Sequence, residues 1–154
     1  MTSLCCELIE ALDGRTIAIA ESCTGGGIGA TVTSAPGSSK IFRGGVIAYT
    51  DWVKENILGV DGAVLRSEGA VSATVASQMA AGARKLMCAS MAVSVTGIAG
   101  PGSDSFQTPV GTVYIGFCDA RKNYSRKFIF EGDREQVRQS AVRAAIELLL
   151  NECK

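Results

Sequence analysis

Three short apolar runs dominate the fold options of this chain: "TIAIA" (Thr16–Ala20), "FRGGVIAY" (Phe42–Tyr49) and "MAVSVTG" (Met91–Gly97). Each has the length and the β-branched or aromatic content of a strand, and each stops abruptly in polar or glycine-rich text. Helical patterns separate them. Leu4, Leu8, Ile9 and Leu12 predict a helix over residues 3 to 13, which Asp13-Gly14 ends. A small-residue helix is predicted from Thr24 to Ser34, closed by Ala35-Pro36-Gly37. Asp51 is read as the N-cap of a short helix through Leu58, with Gly59 after it. Val71, Val75, Met79 and Leu86 mark a longer helix, Ser72 to Met87, with Ser72 as its cap. "GTVYIGFCD" and "NYSRKFIFE", joined by Ala120-Arg121-Lys122, read as a hairpin. Asp133 and Gln136 form an acidic capping box, and a last helix then runs to Asn151. Alternation of this kind followed by a hairpin predicts an α/β fold: a three-layer α/β/α sandwich on a mixed, mostly parallel sheet of about five strands, one of them antiparallel. A single domain over residues 1–154 is expected.

Composition excludes several function classes. The formal charge of +0 gives no broad basic field for non-specific nucleic-acid binding, so no nucleic-acid partner is expected. No apolar run reaches bilayer length, and "MTSLCCELIEALDGR" lacks the basic-then-apolar form of a signal peptide. A soluble cytoplasmic protein without membrane contact is the expectation. The 6 cysteines show no C-x-x-C pair and the chain has no histidine, so free, mostly buried thiols are expected and no metal site. No cofactor is called for.

If the three apolar strands are parallel, their polar ends share one sheet edge, the edge at which open α/β sheets bind ligands. The first ends in "ESCTGGG", with Ser22 and Cys23 as neighbouring candidate nucleophiles. The turn matches neither a P-loop nor G-x-S-x-G. Its Thr24, Gly25 and Gly26 amides are candidates to hold a phosphate or an oxyanion, the alternative being a tight turn that packs helix on strand. Alternation places only one of Ser22 and Cys23 in the site. The second strand ends in Tyr49-Thr50-Asp51, with Lys54 in the first turn of the following helix. The helix dipole there disfavours a cation and would favour the neutral amine, a usable general base, with Tyr49 placed to relay or orient. Ser–Lys pairs replace Ser–His–Asp in other enzymes, whereas an isolated lysine simply points into water. The third strand ends in Thr96-Gly97-Ile98-Ala99-Gly100-Pro101-Gly102, a loop able to wrap a phosphate or ribose, or else a plain turn before the hairpin. Arg134 and Arg138, one turn apart, are either anion ligands or solvated surface charges.

The segments "AESCTGG", "PGSSKIFRGGVIAYTDWVKENILGV", "GAVS", "VTGIAGPG", "PVGTVYIGF" and "GDREQVR" together resemble the C-terminal domain of the competence/damage-inducible protein CinA, over about residues 4 to 150 and in the family's order. That family includes the stand-alone nicotinamide-nucleotide amidase PncC. The resemblance implies hydrolysis of the carboxamide of nicotinamide mononucleotide (NMN) to nicotinate mononucleotide and ammonia, a step of pyridine-nucleotide salvage. It implies a serine–tyrosine–lysine catalytic set at Ser22, Tyr49 and Lys54. It further implies substrate contacts at Thr96, Gly97 and Gly100 of the "TGIAGP" loop and at Arg134 and Arg138, an α/β/α sandwich, and a homo-oligomer. A catalytically silent nucleotide-binding or regulatory protein is the alternative within the family. "SDSFQTPVG" departs from the more glycine-rich and basic loop associated with the family, and Glu68 stands before "GAVS" where histidine is common. No counterpart of the larger N-terminal domain of full-length members is expected, nor its ADP-ribose hydrolysis.

Overall fold

The computed structural model describes Met1–Lys154. Five strands form one sheet in the order β2-β1-β3-β4-β5: β1 (Ile17–Glu21), β2 (Phe42–Ile47), β3 (Met91–Gly97), β4 (Thr112–Cys118) and β5 (Asn123–Ile129). β1 pairs parallel with β2 and with β3, and β4 runs antiparallel to both its neighbours. The predicted mixed sheet with a single reversed strand is therefore the observed one. The carboxyl ends of β1, β2 and β3 lie together on one edge.

Helices cover both faces. Ile17 and Ile19 of β1 point into the layer of α1 (Thr2–Leu12), α2 (Gly27–Thr33) and α6 (Arg134–Cys153), while Ala18 and Ala20 point into the opposite layer. That second layer holds α3 (Asp51–Asn56), α4 (Gly62–Glu68) and α5 (Ala73–Leu86). The period-2 alternation of a strand thus divides one five-residue segment between two cores. α5 buries Ala76, Ala80 and Ala83 beside Val75 and Met79, and this small-residue stripe lets it lie close against the sheet. Leu86, predicted on the apolar face, is the last residue of the helix and is 50% exposed.

Other boundaries shift for local reasons. α2 begins at Gly27 rather than Thr24, because Gly25 and Gly26 have φ of +59° and +101°, values a helix start cannot use. The cap of α3 is Thr50, whose hydroxyl accepts from the Val53 amide, and Asp51 is the first helical residue. α4 has no apolar period and went unpredicted; Asp61 caps it through the Ala63 amide. Ser72 caps α5, and Asp133 with Gln136 forms the capping box of α6, both as predicted. All 6 cysteines are free, but only Cys5, Cys23 and Cys118 are buried, while Cys6 and Cys88 are exposed. No helix is long and apolar enough to cross a membrane.

Candidate active site

Glu21 and Ser22 are held between two neighbouring strands. The Ala48 amide donates to the Glu21 carbonyl at 2.7 Å, and the Ser22 amide donates to the Val95 carbonyl at 2.9 Å. Alternation then turns Ser22 toward the α3–α5 layer. The chain of Lys54 reaches it there: Nζ lies 3.1 Å from Ser22 Oγ and donates to the Ala48 carbonyl at 2.8 Å. Lys54 is 1% exposed and pairs with no carboxylate. Burial pushes its pKa down from 10.5, against smaller upward effects of Asp51 and Cys23. Burial, and not the helix dipole expected from the sequence, is the dominant influence on this amine. α3 has only six residues, so Lys54 falls as much in its last turn as in its first, and desolvation is what favours the neutral amine.

Cys23 follows the alternation and packs in the α1–α2–α6 layer, although it also borders the cavity. Burial raises its thiol to about 11, so it carries almost no thiolate near neutral pH. Of the two adjacent candidate nucleophiles, Lys54 contacts Ser22.

A cavity of about 270 Å³ opens over the pair. Tyr49, Asp51, Thr96, Gly97, Asp104 and Arg134 border it with Ser22 and Lys54. The three strand ends that the sequence singled out therefore do meet. The Thr96 hydroxyl donates to the Ala70 carbonyl at 2.8 Å, fixing the segment before α5 as one wall. Tyr49 is 59% exposed at the mouth, and its hydroxyl accepts from Arg134 Nη2 at 3.4 Å; no hydrogen bond joins it to Lys54 or Ser22. Arg134 Nη1 donates to the Gly100 carbonyl at 2.6 Å, so this arginine ties the Gly100 loop to Tyr49 across the mouth.

Other predicted residues lie elsewhere. Thr24 and Arg138 border a neighbouring cavity between α2 and α6, not the one over Ser22. Arg138 donates to the Cys23 carbonyl and the Thr24 carbonyl, each at 3.2 Å, and to Glu135 at 2.8 Å. The turn amides are engaged too. The Gly25 amide donates to the Ser22 carbonyl, and the Gly26 amide to the Glu21 carboxylate at 3.1 Å. Glu21 also accepts from Ile28 and Gly29, at 3.1 and 2.9 Å. The place a phosphate would take on a glycine turn is filled by the protein's own carboxylate. Only the Cys23 and Thr24 amides in this turn donate to nothing within the chain.

Two site features escaped the sequence reading. Glu21 is fully buried, and its one visible signal is a charge ending an otherwise apolar strand. Asp104 belongs to the "SDSFQTPVG" loop. It accepts from the amides of Phe106 and Thr108 and from the Thr108 hydroxyl, at 2.9 to 3.1 Å. Partial desolvation pushes its carboxyl up, but these hydrogen bonds outweigh that and hold it below the ordinary range. The cavity thus has carboxylates at Asp51 and Asp104 and a guanidinium at Arg134. No cluster of ligating side chains suited to a metal ion is present.

Fold and site together define an α/β sandwich that carries a buried serine–lysine pair at the carboxyl edge of its parallel strands. The chain belongs to the CinA family: residues 2–153 match the CinA C-terminal domain. It is 49% identical over 138 residues to a CinA-like protein of Thermosynechococcus vestitus, covering 88% of this chain and 33% of that one. It is 47% identical over 144 residues to a putative competence-damage inducible protein of Halothermothrix orenii, covering 92% and 34%. The chain spans about a third of the length of these relatives. A CinA superfamily protein structure from Klebsiella pneumoniae superposes with a TM-score of 0.95 at 30% identity, covering 99% of this chain and 96% of that one. A competence/damage inducible protein from Agrobacterium tumefaciens gives 0.91 at 38% identity, covering 97% and 94%.

Proposed function

We propose that this domain is an amidohydrolase acting on the carboxamide of nicotinamide mononucleotide, with Ser22 as nucleophile and Lys54 as general base. The observation that carries the reading is the 3.1 Å approach of a fully buried, carboxylate-free lysine to Ser22 Oγ. A neutral amine at that distance takes the hydroxyl proton as Oγ attacks the carboxamide carbon. The tetrahedral oxyanion falls to the Cys23 and Thr24 amides, which have no other acceptor. Lys54 returns the proton to the leaving nitrogen, ammonia departs and an ester on Ser22 remains. Water, deprotonated by Lys54, then releases nicotinate mononucleotide and restores the serine.

The charges of the cavity suit a substrate with two poles. Asp104 and Asp51 face a pyridinium cation favourably, and the Arg134 guanidinium at the mouth suits the phosphate. In this reading Tyr49 works with Arg134 at the substrate end rather than on the proton path. Thr96 and Gly97 form the wall along the ribose, whereas Gly100 lies outside the cavity lining and acts only through its carbonyl, which holds Arg134. The protein works in the cytoplasm as a homo-oligomer, within pyridine-nucleotide salvage.

Ammonia release tests the proposal. NMN, nicotinamide riboside and nicotinamide are each incubated with the protein, and NMN is expected to turn over fastest. Binding of NMN without ammonia release would support a silent nucleotide-binding protein. Faster turnover of free nicotinamide would indicate a general small-amide hydrolase.

A further inference from the structure

We infer that Glu21 and Arg138 form a two-sided clamp that positions Ser22, an inference that rests on the reading of Ser22 as the nucleophile. The turn after β1 contains two glycines with positive φ and carries the nucleophile at its first position, so its backbone would otherwise be free to move. Its N–H groups and its C=O groups are gripped by side chains of opposite charge. Glu21, 0% exposed and without a cationic partner, takes the Gly26, Ile28 and Gly29 amides through its two oxygens. Arg138, from α6, takes the carbonyls of Cys23 and Thr24. Between them the two side chains account for five backbone groups from Cys23 to Gly29.

The consequence for chemistry is selective. With the Gly26, Ile28 and Gly29 amides filled by Glu21 and the Gly25 amide on Ser22's own carbonyl, the Cys23 and Thr24 amides alone are left to meet a developing oxyanion. Arg138 holds the Cys23 carbonyl, which shares a peptide unit with the Thr24 amide, and the Gly25 amide holds the Ser22 carbonyl, which shares one with the Cys23 amide, so peptide rotation that would carry either amide away is opposed. Neither clamp side chain reaches Ser22 Oγ, so both act as positioning residues. A carboxylate in this place does what an amide cannot: its oxygens accept from all three N–H groups, whereas a glutamine would turn an NH₂ toward at least one of them.

The test is the rate at which a small fluorophosphonate labels Ser22, fluoride leaving as the Oγ–P bond forms. This reaction depends on the pair and the oxyanion site but not on NMN. Glu21→Gln is expected to label about 10- to 100-fold more slowly, the cost of a displacement near 1 Å at a reacting centre. The loss should lie in the limiting rate, not in the reagent concentration that half-saturates it. Arg138→Gln is expected to lose about 10-fold in the same way. Ser94→Ala, which removes a buried hydroxyl bonded to the Ala76 carbonyl on the α5 side, serves as the folding control and should label like the wild type. Should Glu21→Gln not fold, Arg138→Gln decides alone. Wild-type labelling rates in the clamp variants, or equal slowing in Ser94→Ala, would overturn the clamp. Absence of label on wild-type Ser22 would overturn the nucleophile reading and the clamp with it.

Discussion

Replacing Lys54 with methionine separates the two consequences of burying an amine. The side chain is 1% exposed, and methionine fills nearly the same volume without a charge. For activity, losing the general base removes roughly 10²- to 10⁴-fold in kcat/KM, or about 3–5 kcal/mol of transition-state stabilisation. For stability the sign follows from the depressed pKa. Between the native pKa and the 10.5 of the unfolded chain, the unfolded state holds a proton that the native state has released. Wild-type stability therefore rises with pH across that window, by about 1.4 kcal/mol for each unit of depression. Below the native pKa the full cost of a buried ammonium is present. Lys54→Met carries no such cost, though it leaves the Ala48 carbonyl without its 2.8 Å donor, worth about 1–3 kcal/mol. The variant should thus gain on the wild type at low pH and lose that gain as pH approaches 10.5. Urea denaturation of both proteins at several pH values measures the difference. A difference that is flat across pH, or a variant with wild-type turnover, would refute the argument.

Three further outcomes follow from the same geometry. The kcat/KM of the wild type should rise with pH through the native pKa of Lys54, at a midpoint below 10.5, as a base that must be neutral requires; a falling profile would contradict it. Arg134→Gln should raise the KM for NMN about 10-fold or more while leaving turnover of the phosphate-free riboside nearly unchanged, and Tyr49→Phe should lose less than about 10-fold in kcat, since Tyr49 bonds Arg134 and not Lys54. Asp133→Ala breaks the α6 capping box and should cost about 1 kcal/mol, read as a fall in Tm of about 2–4 °C with the NMN KM little changed.

Much of the scaffold was legible because it depends on short-range pattern. Thr16–Ala20 and Met91–Gly97 are apolar runs of strand length, and each is a central strand of the sheet. Ser72 and Asp133 are caps whose chemistry is local. α4 lacked an apolar period, and the Asp61 cap alone did not reveal it. The meeting of the three strand ends followed from parallel pairing, but the partners within the site did not. Lys54 owes its neutral tendency to burial, which a six-residue helix cannot announce in sequence. Glu21 finds its partners five to eight residues downstream, around a turn whose path depends on Gly25 and Gly26. Arg138 read as an anion ligand because its carbonyl partners, Cys23 and Thr24, lie over a hundred positions away in the chain.

The central claim is that Ser22, served by Lys54, attacks the carboxamide of NMN. Its most direct test is ammonia release from NMN by the wild type, Ser22→Ala and Cys23→Ala. The expected result is release by the wild type and by Cys23→Ala, with none above background from Ser22→Ala. Full activity in Ser22→Ala, or its loss only in Cys23→Ala, would contradict the claim.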